Sequence, residues 1–244
     1  MVKITDTVKH LIIINVLFFV ATLVFKQDAY DLLAMHYPAN SLFEPWQIIS
    51  HLFMHGNITH LLFNMIGLWM FGSSVEQIIG RNNFLILYFV AGIGAVLFSV
   101  GIDYFQYNTV YNKLIAIGIS PSEIQNMLLT KNIPESDRVL EVIPMESLAN
   151  MLTKYHTTLV GASGALYGVI VAFGVLLPKA KMGLIFLPIM IESRIFIPLL
   201  LLYDVFFGIF KSGSNIGHFA HVGGAIVGFL VIWYMKKERL IHRL

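Results

Sequence analysis

Three pairs of polar side chains stand out within the apolar runs of this sequence. His60 and Asn64 in "THLLFNMIG" are four residues apart, hence one turn apart on one face of a helix. Ser163 and Tyr167 in "GASGALYG" stand in the same relation, and His218 and His221 share the start of "HFAHVGGAIVG". A serine hydroxyl is a weak nucleophile until a neighbouring base takes its proton, and imidazole is the usual base. Attack on a carbonyl then creates an oxyanion, which a helix-start backbone N–H and Asn or His side chains can stabilise. The three pairs therefore hold a nucleophile, a base and oxyanion donors for acyl transfer, provided that they meet. Spacing alone leaves both His218 and His221 open as the base.

The elements that must bring them together are membrane helices. The chain has 244 residues, 57% hydrophobic and 12% charged, about half the charge of an ordinary soluble domain. Apolar runs of membrane length fall at about 9–25, 58–79, 83–104, 159–178, 193–211 and 217–235. Little sequence remains, so residues 1–244 are expected to form a single all-α polytopic membrane domain of six spans. The first run has no small-residue cleavage site and reads as a retained span rather than a signal peptide. The absence of cysteine excludes disulfides, thiolate metal sites and cysteine nucleophiles. No internal repeat, phosphate-binding glycine loop or basic patch suited to nucleic acid is present.

Orientation follows from the cations near span ends. With a cytoplasmic N-terminus, ten of the 16 lie inside: Lys3, Lys9, Arg81, Lys179, Lys181, Arg194, Lys236, Lys237, Arg239 and Arg243. Lys26 and Lys211 sit at outer span ends, and Lys113, Lys131, Arg138 and Lys154 share one long loop. Both termini are thus expected to be cytoplasmic. All three polar pairs then lie a short way below the outer surface, because the spans carrying them run inward. Two outer segments are long. The first, 26–57, has apolar clusters suited to the membrane interface. The second, about 105–158, has a capping-box sequence at Ser120 and Glu123, with Ile124, Met127 and Leu128 on one face; Met145, Leu148, Met151 and Leu152 repeat the pattern. Short amphipathic helices packed on the bundle or the bilayer surface are expected there.

Gly164 and Gly168 form one G-x-x-x-G, and Gly224 and Gly228 another. Such small-residue faces let helix backbones approach closely in lipid, which favours contact between the span of Ser163 and that of His221. His51, His55 and His60 invite a metal reading, but zinc protease helices use H-E-x-x-H and no glutamate follows either His51 or His55. No metal or cofactor is expected.

Together "HLFMHGNITHLLFNMIGLWMFGSSVEQIIG" at 51–80, "GASG" at 161–164 and "AHVGGAIVG" at 220–228 resemble the rhomboid family of intramembrane serine proteases, in family order from about Trp46 to Trp233. The resemblance implies Ser163 as nucleophile, His221 rather than His218 as general base, and His60 and Asn64 as oxyanion donors. It also implies Gly161 and Tyr167 as supporting residues, Tyr167 packing against the catalytic histidine. The implied activity is an intramembrane endopeptidase cleaving transmembrane segments of protein substrates near the outer face, by a Ser–His dyad without a carboxylate. The chain departs from many members in having Gln47 after Trp46, where they have arginine, and in its longer second outer loop.

Asp204 in "LLLLYDVFFG" lies near the outer end of the fifth span. Since the implied dyad needs no carboxylate, Asp204 is expected to make a structural hydrogen bond or to sit at the interface, and its replacement by asparagine to leave substantial activity. The rival reading is a non-catalytic rhomboid-like protein that binds membrane clients, against which both Ser163 and His221 are retained. A pore is disfavoured because the polar pairs sit at one depth. A bacterial inner membrane is the expected setting, with the lipid bilayer and transmembrane proteins as partners.

Overall fold

The computed structural model describes residues 3–132, 137–184, 187–210, 217–238 and 240. Lys211, Arg239 and Arg243 of the orientation argument lie outside the described residues. Among the described residues, five helices are long and apolar enough to cross a membrane: α1 (Asp6–Phe25), the continuous Ile58–Ile79 segment, α6 (Arg81–Ala116), α11 (Ser193–Phe210) and α12 (His218–Lys237). The Ile58–Ile79 segment is α4 (Ile58–Gly67), a π-helical turn at Leu68–Gly72 and α5 (Ser73–Ile79). The sixth apolar helix, α10 (Ser163–Leu176), has only 14 residues, about 21 Å, against a hydrocarbon core of about 30 Å.

Helix α10 starts later than the expected 159 because Leu159 and Gly161 are used otherwise. Leu159 exchanges both backbone hydrogen bonds with Met35, at 2.9 and 3.0 Å, and the Gly161 N–H donates to the His51 carbonyl at 2.9 Å. Gly161 has φ +125°, which a residue with a Cβ rarely adopts. The segment before Ser163 is thereby pinned as an extended strap to the stretch between α1 and the Ile58–Ile79 segment. Helix α10 itself packs against α6, α11 and α12. Its residues from Gly168 to Phe173 are all buried, as expected of a helix that is apolar all round.

Helix α6 also departs from expectation. It runs 36 residues, about 54 Å, well past the expected end at 104. Tyr107, Val110 and Leu114 on its extension are buried against α7 (Pro121–Thr130), α8 (Asp137–Val142) and α9 (Met145–His156). The presumed loop is thus a helical cap with its own apolar core, which includes Ile124, Met127, Leu128, Val139, Leu148, Met151 and Tyr155. Ser120 and Glu123 form the expected capping box on α7. Met145, expected on the apolar face of α9, is exposed. An ion pair between Lys154 on α9 and Asp103 on α6 ties the cap to the bundle.

Within residues 26–57, α2 (Gln27–Leu33), α3 (Gln47–Ser50) and a 3₁₀ turn at His51–Phe53 fold over the same end. Gln47 is fully buried. Its amide donates to the Asp31 and Leu42 carbonyls at 3.1 and 2.8 Å, and its Oε1 accepts from the His36 N–H at 3.2 Å. At the far end, the buried Glu76 carboxylate accepts from the Thr5 hydroxyl and, at 3.2 Å, from the Val8 N–H, satisfying an orphan donor at the start of α1. Between α10 and α11 lies a feature the sequence reading missed, an antiparallel hairpin of β1 (Lys181–Leu184) and β2 (Leu187–Glu192). The molecule is therefore mostly, not wholly, α-helical.

Candidate active site

Asn57 sets the geometry of the first donor pair. It caps α4, its Oδ1 accepting from the His60 N–H at 2.8 Å. This fixes His60 in the first turn and Asn64 one turn further in. The Asn64 side chain is buried, and its Nδ2 has no hydrogen-bond partner among the described residues. A buried donor left unpaired costs on the order of 1–3 kcal/mol, so its retention needs an explanation, and a transient acceptor supplies one. A Cβ on Gly161 would lie 2.7 Å from His60 Cε1 and 3.7 Å from Asn64 Nδ2. Glycine there is required by its backbone angle and by the approach of His60 alike. The strap before Ser163 thus runs directly past both donors.

Ser163 is the first residue of α10, with Ala162 as N-cap, so the N–H groups of this first turn have no partner within the helix. Its Oγ lies 3.0 Å from Nε2 of His221 on α12, a hydrogen-bond length joining residues 58 apart in sequence. The two helices meet through backbone. A Cβ on Gly224 would lie 2.0 Å from the Gly164 carbonyl oxygen, and one on Gly228 2.3 Å from Gly168 Cα. A Cβ on Gly168 would meet Ala91 of α6 at 2.4 Å, and one on Gly164 would meet Ala95 at 2.5 Å. Tyr167 stacks on His221, with ring centroids 4.2 Å apart and planes 8° from parallel.

The structure separates the roles that spacing left open for the two histidines. His221 faces Ser163, while the buried His218 does not, and both contact Asp204. Nδ1 of His218 lies 2.7 Å, and Nδ1 of His221 3.0 Å, from the same carboxylate oxygen, Oδ1. Asp204 is 1% exposed, so the expected interfacial position does not describe it. Its hydrogen-bond partners include the imidazole nearest the serine, across the α11–α12 contact. Sequence reasoning missed this link because only the packing of two helices creates it.

One ligand atom from each of Asp204, His218 and His221 lies within 4.8 Å of the other two, a spacing a cation could use. The 2.7 and 3.0 Å separations are hydrogen-bond lengths and call for none. Among the described residues, His51, His55 and His60 do not assemble into such a group. Burial pushes His51 and His55 down to about 4, so both are neutral near pH 7. A cavity of about 780 Å³ between the cap, the C-terminal end of α11 and the N-terminal end of α12 reaches His218, but is not lined by Ser163. The contact between Ser163 and His221 thus lies outside this cavity.

With this geometry in view, comparison with known proteins is specific. A family model for the Rhomboid domain matches residues 42–123 and 140–238. Rhomboid protein 1, mitochondrial, of Saccharomyces cerevisiae is 28% identical over 191 residues, 78% of this chain and 42% of that protein. The Rhomboid protease AarA of Providencia stuartii is 28% identical over 188 residues, 76% of this chain and 54% of that protein. The Rhomboid protease GlpG of Klebsiella pneumoniae is 31% identical over 83 residues, 34% of this chain and 30% of that protein. The chain spans about half the length of the first two relatives.

Proposed function

Because the chain belongs to the rhomboid family, we propose that it is an intramembrane serine endopeptidase, cleaving transmembrane segments of membrane-protein substrates near the outer face. The observation that carries this reading is the 3.0 Å contact between Ser163 Oγ and His221 Nε2. Ser163 Oγ attacks the scissile carbonyl carbon while its proton passes to His221 Nε2. The oxyanion that forms takes hydrogen bonds from Asn64 Nδ2, the His60 ring and a free N–H at the start of α10. His221 then returns the proton to the leaving amine as the C–N bond breaks, leaving an acyl-enzyme on Ser163. Water, deprotonated by the same imidazole, hydrolyses that ester and restores the hydroxyl.

In this reading residues 1–244 form a single membrane domain with α10 as a sixth, sunken span, and both termini are cytoplasmic. The short α10 brings the serine below the outer surface. The cap of α7 to α9 stands on the outer side. The chain is a multi-pass membrane protein, and we assign it to a bacterial inner membrane; its relatives include mitochondrial as well as bacterial proteins.

The test is cleavage of a panel of single-span fusion proteins, with and without helix-breaking residues near the outer end of the span, in vesicles containing the protein. Cleavage of the helix-broken members that stops in Ser163→Ala and His221→Ala is the expected result. Stable binding of intact members by a folded native chain, with no product, would replace the protease with a client-binding protein.

A further inference from the structure

Less of α11 is buried than of any other membrane-length helix. Leu199, Leu202, Tyr203, Phe206 and Ile209 are exposed, while Asp204 among them is almost fully enclosed. A carboxylate in a membrane helix is costly and marks a partner or a function. Here the partners are two imidazoles one turn apart on α12, both directed through Nδ1 at one oxygen. Among the described residues, every titratable side chain found against Asp204 belongs to the same assembly. His218 and His221 come from α12, and the Tyr167 hydroxyl comes from α10. Tyr167 also covers the flat face of His221, so carboxylate and ring together define the plane of the imidazole.

An ionised carboxylate can only accept. It therefore holds the His221 proton on Nδ1 and leaves the lone pair on Nε2, the nitrogen that faces Ser163. An imidazole without that acceptor is free to carry its proton on Nε2, where it cannot take one from the serine. His218 donates to the same oxygen, its ring set against Tyr203 and Phe207. It serves as a second anchor that fixes where the oxygen sits.

We infer that Asp204 is a positioning residue for the hydrolytic site, holding His221 as the Nδ1–H tautomer aimed at Ser163, with His218 as its second anchor. The inference rests on the reading of Ser163 and His221 as nucleophile and base. It reverses the expectation drawn from sequence, that asparagine at 204 leaves substantial activity.

The test uses purified full-length protein and a fluorophosphonate probe, separating the limiting labelling rate from the half-saturating probe concentration. In Asp204→Asn, which keeps volume and loses charge, the limiting rate falls by about 10²- to 10⁴-fold, the upper figure being that for loss of a triad aspartate. The half-saturating concentration stays within about threefold of native. Nitrogen-15 spectra of histidine-labelled protein, with the His221 signals identified by their loss in His221→Gln, show Nδ1–H in the native chain and a large Nε2–H population in Asp204→Asn. In His218→Ala the limiting rate falls roughly tenfold or less. In His218→Asn, whose amide nitrogen can occupy the place of Nδ1, it recovers to near native.

A limiting rate within about threefold of native in Asp204→Asn, with His221 still Nδ1–H, would make Asp204 a packing residue and overturn the inference. Should Asp204→Asn not be recovered folded, the His218 pair decides, and a loss in His218→Ala that His218→Asn does not restore overturns it equally. Labelling that survives in Ser163→Ala or His221→Ala would instead sink the underlying assignment of nucleophile and base.

Discussion

The contact between α10 and α12 and the core of the α7–α9 cap are both tightly packed, and they are built on opposite principles. In the first, glycines place backbone on backbone: Gly164, Gly168, Gly224 and Gly228 leave no room for a single methyl group. In the second, Ile124, Leu128, Leu148 and Tyr155 bury large side chains. Water explains the second case, since removing apolar surface from it drives the cap together. Within hydrocarbon that drive is absent, and helices associate through close van der Waals contact instead. The site inherits the consequence. Its decisive distance, Ser163 to His221, is set by a contact that cannot give, whereas the cap can lose side-chain volume without moving it.

The comparison breaks most sharply at Gly224. Alanine there would bring a Cβ to 2.0 Å from a backbone oxygen, forcing α10 and α12 apart. A misplacement of about 1 Å costs on the order of a hundredfold in rate, so fluorophosphonate labelling in Gly224→Ala falls at least that far. Gly101 of α6 is the control, because an added Cβ meets nothing within 4 Å. Labelling in Gly101→Ala stays native, and its thermal midpoint is unchanged or higher.

Next in size is Asn64→Ala, which removes a donor but disturbs neither region's packing. It lowers turnover in the vesicle cleavage assay by about 10²- to 10³-fold, with the thermal midpoint retained. A smaller effect on activity marks the cap. Leu148→Ala destabilises the cap by about 2–5 kcal/mol, seen as faster hydrogen exchange across residues 121–156. Labelling of Ser163 stays within about threefold of native, and a parallel collapse of labelling would show that the two regions are not independent.

The smallest effect is one of pH. His51 and His55 are held neutral by burial, down to about 4 from an ordinary value near 6.5. The unfolded chain therefore takes up protons on these rings before the folded chain does. Their contribution is fully present above about pH 6.5 and is lost as pH falls from there towards 4. The thermal midpoint drops between pH 7 and pH 5, and drops less in His55→Gln.

Much of this arrangement was legible because helix periodicity is local. His60 and Asn64 share a face by spacing alone, and the glycine pairs announced a close helix contact. The ends of elements were harder to read. Asp103, Gln106 and Asn108 interrupt the apolar run near its expected end at 104, but Tyr107, Val110 and Leu114 continue the helical spacing towards the cap core. The late start of α10 depends on Gly161 and on pairing between Leu159 and Met35, which is non-local. The link from Asp204 to His221 was invisible for the same reason, since it exists only where α11 and α12 pack.

The central claim is that the contact between α10 and α12 turns Ser163 into a nucleophile with His221 as its base. Fluorophosphonate treatment of membranes bearing the native chain, followed by peptide mapping of the adduct, tests it directly. The account predicts one adduct, on Ser163, that is absent from Ser163→Ala and His221→Ala. An adduct on another serine, undiminished labelling in His221→Ala, or no adduct on a folded native chain would contradict it.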